Sequence, residues 1–148
     1  MLLKAAAEGK VLAVESLLHD RSKIDVETLD DSNRTPFIHA SISGYATITA
    51  LLLQAGANAN HMDVYGRTAL HYGSLKNHVP VVQALLLSNY TKLEIQDNNG
   101  DSPVDLAMIS NSGATVALLP FYGAKLNSEA KQKLFSLMWI CSSPGDTL

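Results

Sequence analysis

The sequence holds a single cysteine, Cys141, among 148 residues. A lone thiol excludes an intramolecular disulfide and any Cys-x-x-Cys metal site, and it fits a reducing compartment. Aromatic residues are scarce at 6%, and charged residues make up only 17%. Eleven lysines and arginines stand against fourteen acids, for a net charge of -3. The basic residues are scattered, with no run longer than the Lys131, Lys133 pair. A basic stripe able to displace counterions is missing, so direct nucleic-acid binding is not expected. No apolar run approaches the roughly 20 residues of a membrane span, and no membrane insertion is expected. Met1-Leu2-Leu3-Lys4 does not read as a signal peptide, because Lys4, Glu8 and Lys10 interrupt the apolar stretch that such a segment needs. The sequons Asn33-Arg34-Thr35 and Asn89-Tyr90-Thr91 carry no weight in a chain expected to be cytoplasmic or nuclear.

Hydrophobic residues, by contrast, reach 47%, with many alanines and leucines. That bias favours helices, and the length suffices for one self-supporting core. Self-similarity then supplies the organisation. Thr35-Pro36-Phe37-Ile38-His39-Ala40-Ser41-Ile42-Ser43-Gly44 aligns with Thr68-Ala69-Leu70-His71-Tyr72-Gly73-Ser74-Leu75-Lys76-Asn77 at an offset of 33 residues. Ser102-Pro103-Val104-Asp105-Leu106-Ala107-Met108-Ile109-Ser110-Asn111 follows at an offset of 34. A second apolar stretch trails each copy: Ile48 to Leu53, Val81 to Leu87 and Val116 to Leu119. Gly56-Ala57-Asn58-Ala59-Asn60 is echoed by Gly123-Ala124-Lys125-Leu126-Asn127.

Each copy reads as turn, helix, turn, helix. Thr35, Thr68 and Ser102 are N-cap residues whose hydroxyls can accept from the free amides of a first turn. Pro36 and Pro103 follow at the first helical position, where a missing amide proton is harmless. Gly44, Asn77 and Asn111 tolerate the left-handed conformation that closes a helix. Pro80 opens the second helix of its copy. Asn33, Gly66 and Gly100 supply a positive-φ turn two residues before each cap, and Asp30, Asp63 and Asp97 read as its builders. Asp97-Asn98-Asn99-Gly100-Asp101 is not a calcium loop, because its glycine stands fourth and Met108 stands twelfth.

On these residues the sequence resembles the ankyrin-repeat family. The family pattern of a glycine, one residue, then Thr-Pro-Leu-His-x-Ala is matched best by Gly66-Arg67-Thr68-Ala69-Leu70-His71. The other copies diverge: Ile38 and Asp105 stand where the family has His, and Asn77 and Asn111 where it has the helix-closing Gly. The resemblance implies an all-α fold, an α-solenoid of helix-turn-helix units with β-turn fingers, as a single domain over residues 1–148. Units are expected at about 1–30 (partial), 31–63, 64–97 and 98–127, then a C-terminal helix at about 128–141 and a tail at 142–148. It also implies that the His71 ring hydrogen-bonds backbone groups of the neighbouring turn.

The first unit is Leu2-Leu3-Lys4-Ala5-Ala6-Ala7-Glu8-Gly9 with Val14, Leu17 and Leu18, so that Gly9 is equivalent to Gly44 at a 35-residue step. Ser128 is expected to cap the last helix, with Leu134, Leu137, Met138 and Cys141 on one face. Such a helix would close an array whose units cannot bury their faces alone. Gly145-Asp146-Thr147-Leu148 resembles the opening of another unit, so the chain is expected to be an excerpt of a longer protein; a short exposed tail is the alternative.

A solenoid of this kind offers no deep pocket, and neither catalytic residues nor a cofactor, metal or small-molecule site is expected. His39 lies one position later in its unit than His71 does. His19, His61 and His78 fall on helix ends or turns and read as surface residues. Cys141 reads as a buried thiol.

The expectation is therefore a non-catalytic protein-binding module. Ala40, Ser41, Gly73, Ser74, Ala107 and Met108 face neighbouring units. By the family's geometry the other side of each first helix lines a concave surface, and there His39, Ile42, Tyr72, Leu75, Lys76, Leu106 and Ile109 form a row richer in apolar residues than a solvated face needs. That row would receive a helix or extended peptide with apolar anchors. Met62 and Tyr65 extend it onto the turn tips, where acidic residues would favour a partner that also carries Lys or Arg. In the alternative, the row packs against other parts of a larger enzyme, transporter or channel.

Overall fold

The computed structural model describes residues 1–142, with side-chain surroundings for residues 1–136. Nine helices and no strand are present among the described residues: α1 (Leu2–Ala7), α2 (Val11–His19), α3 (Pro36–Ser43), α4 (Ala46–Gln54), α5 (Ala69–Leu75), α6 (Val79–Leu87), α7 (Pro103–Ile109), α8 (Gly113–Phe121) and α9 (Ser128–Ser142). The first eight form four consecutive pairs. First helices stack on first helices, from α1 through α3 and α5 to α7, and second helices stack likewise from α2 to α8. Helix α9 packs against α7.

Helices of six to nine residues are marginal in water by themselves, so the stack must hold them. It does so with side chains repeated at equivalent positions. Phe37, Leu70 and Val104 are buried in the first layer, and Leu52, Leu85 and Leu119 in the second. The positions expected to face neighbouring units, from Ala40 and Ser41 to Ala107 and Met108, are all buried.

Local chemistry sets the helix ends. The Thr35 hydroxyl accepts from the Ile38 N–H at 3.3 Å. Ser102 and Asp105 form a reciprocal capping box, in which the Asp105 carboxylate accepts from the Ser102 N–H at 2.9 Å. At Thr68 the returning group is the His71 ring, whose Nδ1 accepts from the Thr68 N–H at 3.1 Å. Asn33, Asn77 and Asn111 all adopt positive φ, near 55 to 59°, as helix-closing and finger positions require.

One expected cap shifts by a residue. Asn127, not Ser128, caps α9: its side-chain oxygen accepts from the Ala130 N–H at 2.7 Å and its carbonyl accepts from the Lys131 N–H. An Asx side chain reaches the third amide of the turn and displaces the neighbouring serine from that role. Leu134 packs against the core as expected. The side chains of Leu137, Met138 and Cys141, and the segment Gly145-Asp146-Thr147-Leu148, lie outside the described residues. No helix among the described residues is long and apolar enough to cross a membrane.

Candidate functional site

The finger edge of the stack is held by three aspartates in one geometry. Asp30, Asp63 and Asp97 each use Oδ1 to accept two backbone N–H groups of their own turn, two and four residues on, at 2.8 to 3.0 Å. This makes them turn builders, as their spacing indicated. Their second oxygens reach further. Asp30 Oδ2 lies 2.8 Å from His39 Nε2. Asp63 Oδ2 accepts from the Tyr72 hydroxyl and lies 3.4 Å from Arg34 Nε. Asp97 Oδ2 lies 3.0 Å from Arg67 Nε.

Arg34 and Arg67 thus each reach forward to the aspartate of the next unit. Arg34 stands 5.6 Å from the centre of the Tyr72 ring and 5.9 Å from that of Tyr65, and Arg67 stands 5.9 Å from that of Tyr72, within cation–π range. Burial opposes ionisation of Asp97, but the Arg67 guanidinium and the two turn amides outweigh it and hold the carboxyl below its usual range. Burial and the Asp63 carboxylate both push the Tyr72 hydroxyl up.

Histidines supply further cross-links. Nε2 of His71 lies 3.1 Å from the Asp101 carbonyl, that of His61 lies 2.8 Å from the Asn33 carbonyl, and that of His78 lies 3.0 Å from the Ile42 carbonyl. The surface reading of His61 and His78 is thereby corrected: both bridge to the preceding unit, His61 to a finger carbonyl and His78 to a carbonyl in the last turn of α3. A parallel set of links was missed in the sequence. Side-chain oxygens of Glu27, Asn60 and Glu94 accept the backbone N–H of Asn58, Lys92 and Lys125 in the following unit. Their signal was available, since these acceptors recur at offsets of 33 and 34, as Arg34 and Arg67 do at 33.

The expected binding row divides once the contacts are known. Tyr72 and Leu106 are only 6% and 3% exposed, Tyr72 being drawn inward by Asp63 and the arginines, so neither offers an accessible side chain. His39 is half-buried and paired to Asp30. Ile42 and Leu75 are half-buried, and Ile109 is 69% exposed; these three occupy one position in α3, α5 and α7. Lys76 is exposed at the edge of the same row. At the turn tip, Met62 and Tyr65 are exposed, together with Val64. The acids of the fingers divide: Asp30, Asp63 and Asp97 are paired internally to His39, Arg34 and Arg67, whereas Asp31 is exposed and neither it nor the Asp101 carboxylate has an ion pair among the described residues.

A family model described as ankyrin repeats (3 copies) matches residues 2–97. The chain is similar to Ankyrin repeat protein nuc-2 of Neurospora crassa, 29% identical over 74% of this chain and 10% of that protein. It is similar to an ankyrin and IPT/TIG repeat-containing protein of Schizosaccharomyces pombe, 30% identical over 69% of this chain and 9% of that protein. A third relative is the human transient receptor potential cation channel subfamily A member 1, 27% identical over 82% of this chain and 11% of that protein. The chain thus spans about a tenth of the length of these relatives. The matched residues are those whose helix pairs, caps and fingers repeat through the stack, and the chain belongs to the ankyrin-repeat family.

Proposed function

We propose that this chain is a non-catalytic recognition module that captures a helix or extended peptide of a partner protein on its concave row and turn tip, in the cytoplasm or nucleus. One observation carries the reading. Ile42, which also packs partly against the core, Leu75 and Ile109 keep apolar surface at the same position of three successive helices, and Met62, Val64 and Tyr65 are exposed on the turn tip. Ankyrin repeats generally act as protein-interaction modules, and their family is generally non-catalytic. The test is a displayed random-peptide library selected on the 148-residue chain. Recovered peptides should carry Leu, Ile or Phe anchors and bind at least tenfold more weakly to a Leu75→Ser, Ile109→Ser variant that melts normally. Equal binding to that variant would overturn the reading.

A second reading rests on the small share of each relative that the chain covers, one of those relatives being a cation channel subunit. Here the row packs against another part of its own polypeptide. It predicts that the amides of α5 and α7 exchange more slowly in a longer chain than in this segment.

A further inference from the structure

The arginine ladder of the finger edge stops at one residue. Arg34 and Arg67 occupy the position just before each cap, and the third unit has Asp101 there. No cation is paired to the Asp101 carboxylate among the described residues. Beside it, between α7 and α9, opens a hollow of about 450 Å³ lined by Asp101, Asp105, Met108, Ile109, Glu129 and Lys133. Its acids and its base are not matched to one another. The Lys133 ammonium donates to the Met108 carbonyl at 2.7 Å and makes no ion pair with the carboxylates. Asp105 is already engaged by Ser102 and by the Asn127 amide at 2.8 Å. Asp101 and Glu129 are left with no hydrogen-bonded or ionic side-chain partner among the described residues. Of the finger acids left without an ion pair, Asp31 stands on the first finger away from this hollow, whereas Asp101 faces it together with Glu129, next to the most exposed apolar residue of the concave row.

We propose that this hollow is the cation subsite of the concave surface. It takes one arginine or lysine side chain of the bound peptide, whose aliphatic stem crosses Ile109 and whose charged head faces Asp101 and Glu129. The inference rests on the concave-face reading above and adds to it a direction: the basic residue must lie at the α7–α9 end, beyond the anchors that meet Ile42 and Leu75. An arginine suits the place best, since its stem covers apolar surface while its planar fork serves two carboxylates. A like-charged or acidic residue at that point of the peptide would be rejected, which gives selectivity as well as attraction.

The displayed random-peptide library tests this on the intact chain and on an Asp101→Asn, Glu129→Gln variant, in which the Asp101 backbone links to Asp97 and His71 are kept. Peptides selected on the unaltered chain should show Arg or Lys at one fixed offset from the last apolar anchor. Changing that residue to Ala should weaken binding about fivefold at low salt, and the difference should vanish on the double variant. Glu129→Gln alone, at an exposed residue outside every internal hydrogen bond described, should move the ratio in the same direction and covers the case in which the double variant folds poorly. Anchored peptides without basic enrichment overturn the subsite while sparing the concave-face reading, as does an undiminished Ala penalty on the double variant. Recovery of no anchored peptide overturns both.

Discussion

His71 joins two fingers through a contact of 3.1 Å between its Nε2 and the carbonyl of Asp101, thirty residues further along the chain. Its other nitrogen faces the N–H of Thr68 at 3.1 Å and the hydroxyl of the same residue at 2.9 Å. Nδ1 is therefore the acceptor and Nε2 carries the proton, so the ring is neutral. Full burial pushes its pKa below the usual value of 6.5, with the Asp101 carbonyl opposing only in part. The unfolded chain binds the proton first as pH falls, so the stability associated with neutral His71 is present above about 6.5 and is lost progressively towards the lower folded value. Urea midpoints should drop between pH 7 and 5, with a slope of at most about 1.4 kcal/mol per pH unit. A His71→Leu chain should be weaker at pH 7 yet flatter across this window. A ring that titrates normally by NMR would refute the assignment.

Arg67 and Asp97 are predicted to be unequal partners. Asp97→Ala strips the acceptor from two turn amides and leaves the Arg67 guanidinium without its carboxylate, and should cost about 3 kcal/mol. Arg67→Met keeps the aliphatic stem and leaves Asp97 its two amides, so it should cost less, about 1–2 kcal/mol. Chemical denaturation of both variants checks the order; a costlier Arg67→Met would contradict it.

Ser74 and Ser41 hold the same position in successive helices but differ in satisfaction. The Ser41 hydroxyl donates to the Phe37 carbonyl at 3.0 Å, whereas the Ser74 hydroxyl is fully buried with no partner among the described residues. Ser74→Ala should stabilise the fold by about 1 kcal/mol, and Ser41→Ala should be neutral or mildly destabilising. Thermal melts that rank the two the other way would show that Ser74 has a partner in solution.

Gly44 closes α3 at φ 81° against the face of His78, where an added Cβ would lie 2.7 Å from Nδ1. Gly56 has φ 89° but open space around it. Gly44→Ala should therefore cost about 2–3 kcal/mol and disturb the His78 link to Ile42, while Gly56→Ala should cost about 1 kcal/mol. Equal losses in urea titrations would remove the steric part of this explanation.

The period made the fold legible, since caps, helix-closing residues and finger aspartates recur at positions that physical chemistry restricts tightly. The finer surface was less so. Tyr72 and Leu106 share a helical face with exposed neighbours, and spacing alone cannot tell that a hydroxyl will turn inward to a carboxylate nine residues earlier. Asp63 and Asp97 were legible as turn builders, but their second oxygens' pairing was not, because the arginines that reach them come from the preceding unit. Asn127 against Ser128 shows the same limit at a helix end, where two capping side chains stand side by side and geometry selects one.

The break in the ladder at Asp101 also gives the array a direction of failure. The α3–α4 unit is clamped to the next by Arg34, and α5–α6 to its successor by Arg67, while the side chain before the third cap reaches forward to no aspartate among the described residues. In a linear array, stability is a sum of unit and interface contributions, and the weakest interface decides where cooperative melting begins. Unzipping beyond α7 should therefore begin before the clamped units open, so that loss of the C-terminal elements precedes, rather than accompanies, loss of the turn-tip surface around Met62 and Tyr65.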